Sequence, residues 1–350
     1  MRTFLYTADG VAIDSVYDPG AAVYDPGAAA RDTPGSAAVG PVFVVAHGFT
    51  GDADRPHVRR VAAAFAQYGA VVTFSFRGHG ASGGRSTVGD REVLDLAAAV
   101  RWARELGHTW VVTVGFSMGG SVVLRHAALY GSAAGREQEG RTGADGAART
   151  APRAVPGPEA PGGGREAVAA VGGGTAAGAD PGAAGAGPAA VDPGSAAVDP
   201  GSAVADPGPA VADPGLDAVD PGPDVVVSVS APARWYYRGT APMRRLHWLV
   251  TRPEGRLVGR YGFRTRIHHR EWDPVPLSPV QAVPRIAPAP LLVVHGDRDG
   301  YFPLDHPRML AEAAGEHGEL WLEPGMGHAE NAAGDDLLGR IARWAVARAG

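Results

Sequence analysis

Trp110-Val111-Val112-Thr113-Val114 runs directly into Gly115-Phe116-Ser117-Met118-Gly119, and then into Gly120-Ser121-Val122-Val123-Leu124. The first block is short, apolar and rich in β-branched residues, which predicts a buried strand over 110–114. The last block, with Leu129 beyond it, predicts a helix. Ser117 therefore stands on a tight strand-to-helix turn that exposes its hydroxyl to a base, and glycines at 115 and 119 leave room for the turn. A free serine hydroxyl is a poor nucleophile, so this placement points to chemistry in which a neighbouring group activates it. The same spacing recurs as Gly80-Ala81-Ser82-Gly83-Gly84. That copy lies several residues past its strand and leads into Arg85-Ser86-Thr87-Val88-Gly89, which has no helical face. Ser117 is the expected nucleophile and Ser82 a loop residue.

Outward from this junction the chain alternates short apolar strands with amphipathic helices. Strands are predicted over 42–46, 70–76, 225–229, 291–294 and 320–322. Helices open near Asp54, Asp90 and Asp305, and a last one carries Leu337, Leu338, Ile341 and Trp344. Continuous apolar strands between such helices indicate a mostly parallel sheet covered on both faces. Ala8-Asp9-Gly10 marks a hairpin near the start. On this architecture an activated serine is followed in the chain by an acid and then a histidine. The strand over 291–294 leads into His295-Gly296-Asp297-Arg298-Asp299; Asp299 is the expected acid, and Asp297 is the alternative. Of the three histidines beyond, His306 opens a helix and His317 sits among charged residues. His328 follows the final strand in the loop Pro324-Gly325-Met326-Gly327, where an imidazole can reach across to another strand. An oxyanion formed during acyl transfer is best held by two fixed backbone N–H groups. Met118 supplies one, and Phe49 in His47-Gly48-Phe49-Thr50-Gly51 supplies the other, with His47 read as structural.

Composition removes several competing chemistries. All 32 basic residues are arginine, which excludes a Schiff-base lysine, a phosphate-loop lysine and a serine–lysine dyad. There is no cysteine, so thiol nucleophiles, disulfides and thiolate metal sites are excluded as well. The net charge of −5 gives no reason to expect a nucleic-acid partner. No segment approaches the roughly 18 apolar residues of a membrane span, and Met1 to Gly10 lack the basic start and apolar run of a leader. The expectation is a soluble, cytoplasmic protein; the oligomeric state is left open.

Two segments are built on an Asp-Pro-Gly unit. One covers about 16–40; the other covers 131–223, where the unit recurs at Asp192, Asp199, Asp206, Asp213 and Asp220. Ordering a residue costs roughly 1–2 kcal/mol of backbone entropy, and alanine, glycine, proline and aspartate bury too little to offset it. Both segments are therefore expected to be disordered insertions. The organisation predicted is a core over 1–130, an insertion over 131–223 and a second part of the core over 224–350.

His47-Gly48-Phe49-Thr50-Gly51, Arg77-Gly78-His79-Gly80, Gly115 to Gly119, His295 to Asp299 and Gly327-His328 together resemble the α/β-hydrolase family. The branch is that of bacterial esterases and monoacylglycerol-lipase-like or cinnamoyl-esterase-like enzymes. The resemblance extends over nearly all of the chain outside the insertions, and the long insertion is the departure from it. It implies hydrolysis of a small-molecule carboxylic ester through an acyl-enzyme, a triad of Ser117, Asp299 and His328, no cofactor and no metal. Thioesters and amides are alternative substrates on the same triad. An alternative of another class is an interaction protein whose repeats bind a partner. His268-His269 lack a third metal-type ligand at suitable spacing. The resemblance also implies a cap over the site, at about 231–288. There Trp235, Tyr236, Tyr237, Trp248, Tyr261, Phe263 and Trp272 are expected to face inward and the arginines outward.

Overall fold

The computed structural model describes residues 1–21, 40–131 and 222–348. Of the two expected disordered insertions, residues 22–39 and 132–221 lie outside these residues. One sheet of eight strands organises the described chain, in the order β1-β2-β4-β3-β5-β6-β7-β8. Strands β1 (Arg2–Tyr6) and β2 (Ala12–Asp18) form the antiparallel hairpin announced by Ala8-Asp9-Gly10. The hairpin joins β4 (Ala70–Phe74) in antiparallel fashion through β2. From β4 onward the sheet is parallel through β3 (Val42–Ala46), β5 (Val111–Phe116), β6 (Val225–Val229), β7 (Leu291–Gly296) and β8 (Gly318–Glu323). The first repeat segment begins later than expected. Val16, Tyr17 and Asp18 pair with Thr73, Val72 and Val71, because the ladder continues as long as β4 offers partners.

Every residue of β3 to β7 is buried, which is why these strands read as unbroken apolar runs. On one face, α1 (Pro56–Phe65) packs Val61 and Phe65 beside Phe43, Val45 and Val71, and the C-terminal helix Asp335–Val346 adds Leu338 and Ile341. On the other face, α2 (Glu92–Glu105), α3 (Met118–Tyr130) and the helix Asp305–Ala314 cover Val44, Val72, Val111 and Val226.

Two helices, α4 (Ala241–Thr251) and α5 (Pro253–Gly262), form a hairpin in the predicted cap region. Its aromatic residues divide between inside and outside. The Trp235 indole N–H donates to the carbonyls of Pro276 and Leu277, the Trp272 indole N–H donates to Thr87 O, and the Tyr237 ring meets His306 edge-on. Tyr236, Trp248, Tyr261 and Phe263 are exposed, contrary to the expected inward orientation. For Tyr261 the reason lies in α5, whose buried residues are Gly255 and Gly259. A Cβ on Gly255 would sit 2.4 Å from Trp248 O, so α5 must turn its smallest side toward α4 and its larger residues outward.

The insertion leaves from and returns to one place. Gly222 lies so close to the end of α3 that a Cβ there would be 2.3 Å from Tyr130 O and 3.0 Å from the Gly131 Cα. Joining Gly131 to Gly222 through a short flexible linker should therefore preserve the fold. Loop closure over fewer residues should raise unfolding free energy by about 2 kcal/mol. Denaturant titration checks this, and a lower midpoint for the shortened chain would mean that residues 132–221 stabilise the core.

Candidate active site

In a parallel sheet the carboxyl ends of all strands open on one edge, and loops leaving those ends converge there. Here the loops after β3, β5, β7 and β8 supply the predicted residues. Ser117 follows β5 directly and is the N-cap residue of α3, with φ 51° and ψ −113°. That backbone conformation costs a non-glycine residue on the order of 1–3 kcal/mol and is enforced by packing around the turn. A Cβ on Gly115 would lie 2.1 Å from Gly119 O, and one on Gly119 would lie 2.2 Å from Ala46 O. Only glycine at both positions lets the strand, the turn and the neighbouring β3 approach so closely.

His328 Nε2 lies 2.9 Å from Ser117 Oγ, and His328 Nδ1 lies 2.8 Å from Asp299 Oδ2. The second contact assigns the proton to Nδ1, donating to the carboxylate, so that Nε2 is free to accept from the serine hydroxyl. Asp299 is fixed in turn by its own loop: the amides of Tyr301 and Phe302 donate to Oδ1 at 2.8 and 3.1 Å. Burial pushes the Asp299 carboxyl up, but His328 and these two amides together hold it below its ordinary value. Asp297 is placed elsewhere; its Oδ1 accepts the Gly325 amide at 2.7 Å. Ser82 is buried, with its hydroxyl donating to Ser75 O and accepting from the Asp14 amide. His306 is buried and its Nδ1 accepts the Ala233 amide. Ser117, Asp299 and His328 are thus brought together, whereas Asp297, Ser82 and His306 serve local structure.

The loop from His47 to Gly51 is tightly determined. His47 Nδ1 donates to Gly48 O at 2.7 Å and its Nε2 accepts the Phe76 amide at 3.0 Å. Complete burial and the adjacent His79 drive its pKa well down, which keeps the ring neutral in this bridging role. The amides of Thr50 and Gly51 donate to His79 Nε2 and Gly48 O. The Gly48 amide donates to Glu330 Oε1 at 3.1 Å. Among the described residues, the Phe49 amide donates to no acceptor within the chain. Met118 is the first residue of α3, so its amide has no intrahelical acceptor either.

Two residues near the site were not foreseen from sequence. Glu330, buried with its carboxylate against Gly48, holds the loop that carries Phe49, and its oxygens would lie 3.2 Å from a Cβ on Gly48. Glu330→Ala should lower any turnover at this site by roughly tenfold to a hundredfold through loss of this loop anchor. Glu330→Gln keeps an acceptor and should retain most activity; equal losses in both variants would remove the anchoring role. The second is Tyr301, whose ring stacks on the His328 imidazole at 4.2 Å with an interplanar angle of 23°. Its carbonyl accepts the Thr240 hydroxyl at 2.9 Å, tying the cap to the loop of Asp299.

His268 and His269 stack on each other, and among the described residues no three His, Asp or Glu side chains are grouped as a metal site. Among the same residues no helix is long and apolar enough to cross a membrane. A family model described as the alpha/beta hydrolase fold matches residues 41–136, a span that contains both the Phe49 loop and Ser117. The esterase Pf2001 of Pyrococcus furiosus is similar in structure with a TM-score of 0.57 at 16% identity, covering 100% of this chain and 91% of that one. The alpha/beta hydrolase GrgF of Penicillium sp. sh18 is similar with a TM-score of 0.54 at 14% identity, covering 100% and 98%. No curated protein matches the sequence. The strand order, the serine at the end of β5 and these likenesses agree, and this chain has the α/β-hydrolase fold.

Proposed function

We propose that this chain is a serine hydrolase that cleaves carboxylic esters of small molecules through an acyl-enzyme intermediate. The observation that supports this reading is the continuous hydrogen-bonded relay from Asp299 through His328 to Ser117. His328 Nε2 takes the hydroxyl proton as Ser117 Oγ attacks the acyl carbon, and Asp299 stabilises the imidazolium that results. The carbonyl oxygen gains negative charge and is held by the amides of Phe49 and Met118, the latter at the positive end of α3. His328 then returns its proton to the leaving alcohol. A water molecule, deprotonated by the same nitrogen, attacks the acyl group and restores Ser117.

Labelling with a fluorophosphonate tests the activated serine, and turnover of matched p-nitrophenyl esters, thioesters and anilides of graded acyl length tests the substrate class. The reading expects Ser117-dependent labelling and the highest kcat/KM on esters. A wild-type chain that neither labels nor turns over any ester would overturn it.

A further inference from the structure

The α4–α5 hairpin presents to solvent what a helix pair normally hides. On α5 the buried positions are Gly255 and Gly259, while Leu257, Val258 and Tyr261 are 57%, 45% and 76% exposed. On α4, Met243 and Leu249 point into the protein and Trp248 points out, 46% exposed. Helical spacing sets Arg244 and Arg245 one turn before Trp248 on that outward face, and all three are exposed. Arg260 lies over the Tyr261 ring, 5.6 Å from its centroid. The outer surface is therefore apolar and aromatic with arginines set among the rings.

The charge of this surface is lopsided. From Arg234 to Arg270 the chain has ten arginines against one acidic residue, Glu254, although its net charge is −5. Within that stretch, Arg234 with Asp305 is the ion pair formed among the described residues. Whatever covers the hairpin must accept apolar side chains and supply negative charge. A second copy of the chain meets the first condition and fails the second, because a self-complementary contact would set arginine against arginine. Small acidic solutes meet the second and fail the first. An interface of acyl chains beneath anionic headgroups meets both. Aromatic rings settle at headgroup depth, and arginine stems lie along apolar surface while their guanidinium groups bind phosphate.

We propose that the outer face of the α4–α5 hairpin docks this protein on anionic lipid bilayers. Because Thr240, the N-cap residue of α4, is hydrogen-bonded to Tyr301 O, docking brings the loop of Asp299 close to the lipid surface.

Sedimentation of the full chain with vesicles of phosphatidylcholine, with or without about 30% phosphatidylserine, tests the proposal without requiring turnover. It is therefore decided separately from the hydrolase reading. Wild-type protein should bind the mixed vesicles at least about tenfold more tightly than neutral ones, with binding weakening as salt rises from about 0.05 to 0.5 M. The double substitution Leu257→Ser, Tyr261→Ser should weaken binding by about tenfold or more. Arg245→Gln with Arg260→Gln should remove most of the preference for phosphatidylserine. Circular dichroism checks that these exposed substitutions leave the fold intact. Absence of vesicle binding, or equal binding by wild type and L257S/Y261S, would overturn the proposal. So would self-association in light scattering that L257S/Y261S abolishes while no vesicle binding is seen, since that outcome assigns the surface to a second copy.

Discussion

Ser117→Ala is expected to lower ester kcat by roughly 10⁴–10⁶-fold, with little change in stability. The substitution deletes the attacking oxygen and leaves His328 Nε2 with no hydroxyl 2.9 Å away to deprotonate. On the proposed mechanism, what remains is binding and polarisation of the carbonyl by the Phe49 and Met118 amides, which can act on attack by water. The backbone of the turn is held by Gly115, Gly119 and β3, so removing one oxygen should not relax it. Ser82→Ala makes the informative contrast. It removes a buried hydroxyl that joins Ser75 O to the Asp14 amide, and should cost about 1–3 kcal/mol of stability while sparing kcat. Steady-state kinetics with thermal denaturation of both variants separate these outcomes. Full activity in Ser117→Ala would exclude the mechanism.

Asp299→Asn is expected to reduce kcat by about 10³–10⁴-fold, because an amide NH₂ facing Nδ1 favours the tautomer with its proton on Nε2, where it blocks acceptance from Ser117. Any loss on turning the amide around also removes the charge that stabilises the imidazolium. Asp297→Asn should be nearly silent, since its role is to accept the Gly325 amide and an asparagine oxygen can do the same. The pH dependence follows from the position of the Asp299 carboxyl below its ordinary value. Its stabilising interaction is fully present above the unfolded-state value and is lost only as pH falls through the depressed one. Any decline of activity in mildly acid solution therefore belongs to a group other than this carboxylate. Reversed rankings of the two asparagine variants would move the acid to Asp297.

The three residues of the relay were legible because each is announced locally. Ser117 stands between a strand and a helix, Asp299 in the loop after β7, and His328 in a glycine-rich loop after β8. The sheet was equally legible, since a strand buried on both faces has no polar alternation to obscure it. Glu330 and Tyr301 gave no such notice. Each acquires its role only when loops distant in sequence meet, as when the Glu330 carboxylate reaches Gly48. The orientation of the cap aromatics was misread for a related reason. Large apolar residues on a helix ordinarily face inward, but on α5 the inner side is reserved for glycine, Gly255 by the close approach of α4 and Gly259 by Ile267. The end of β2 was set by β4, and composition alone could not say that the ladder would run to Asp18.

The meeting of Gly222 with Tyr130 and Gly131 bears on how the chain can change over generations. Units at Asp192, Asp199, Asp206, Asp213 and Asp220 recur every seven residues, an arrangement that copying errors lengthen or shorten by whole units. A segment whose ends need only touch imposes no condition on its own length, and each doubling alters closure by only about 0.6 kcal/mol. Gains and losses of units thus leave β5, β6 and the serine turn where they are. Repeat number in this stretch can therefore change without moving the hydrogen-bonded relay of Asp299, His328 and Ser117.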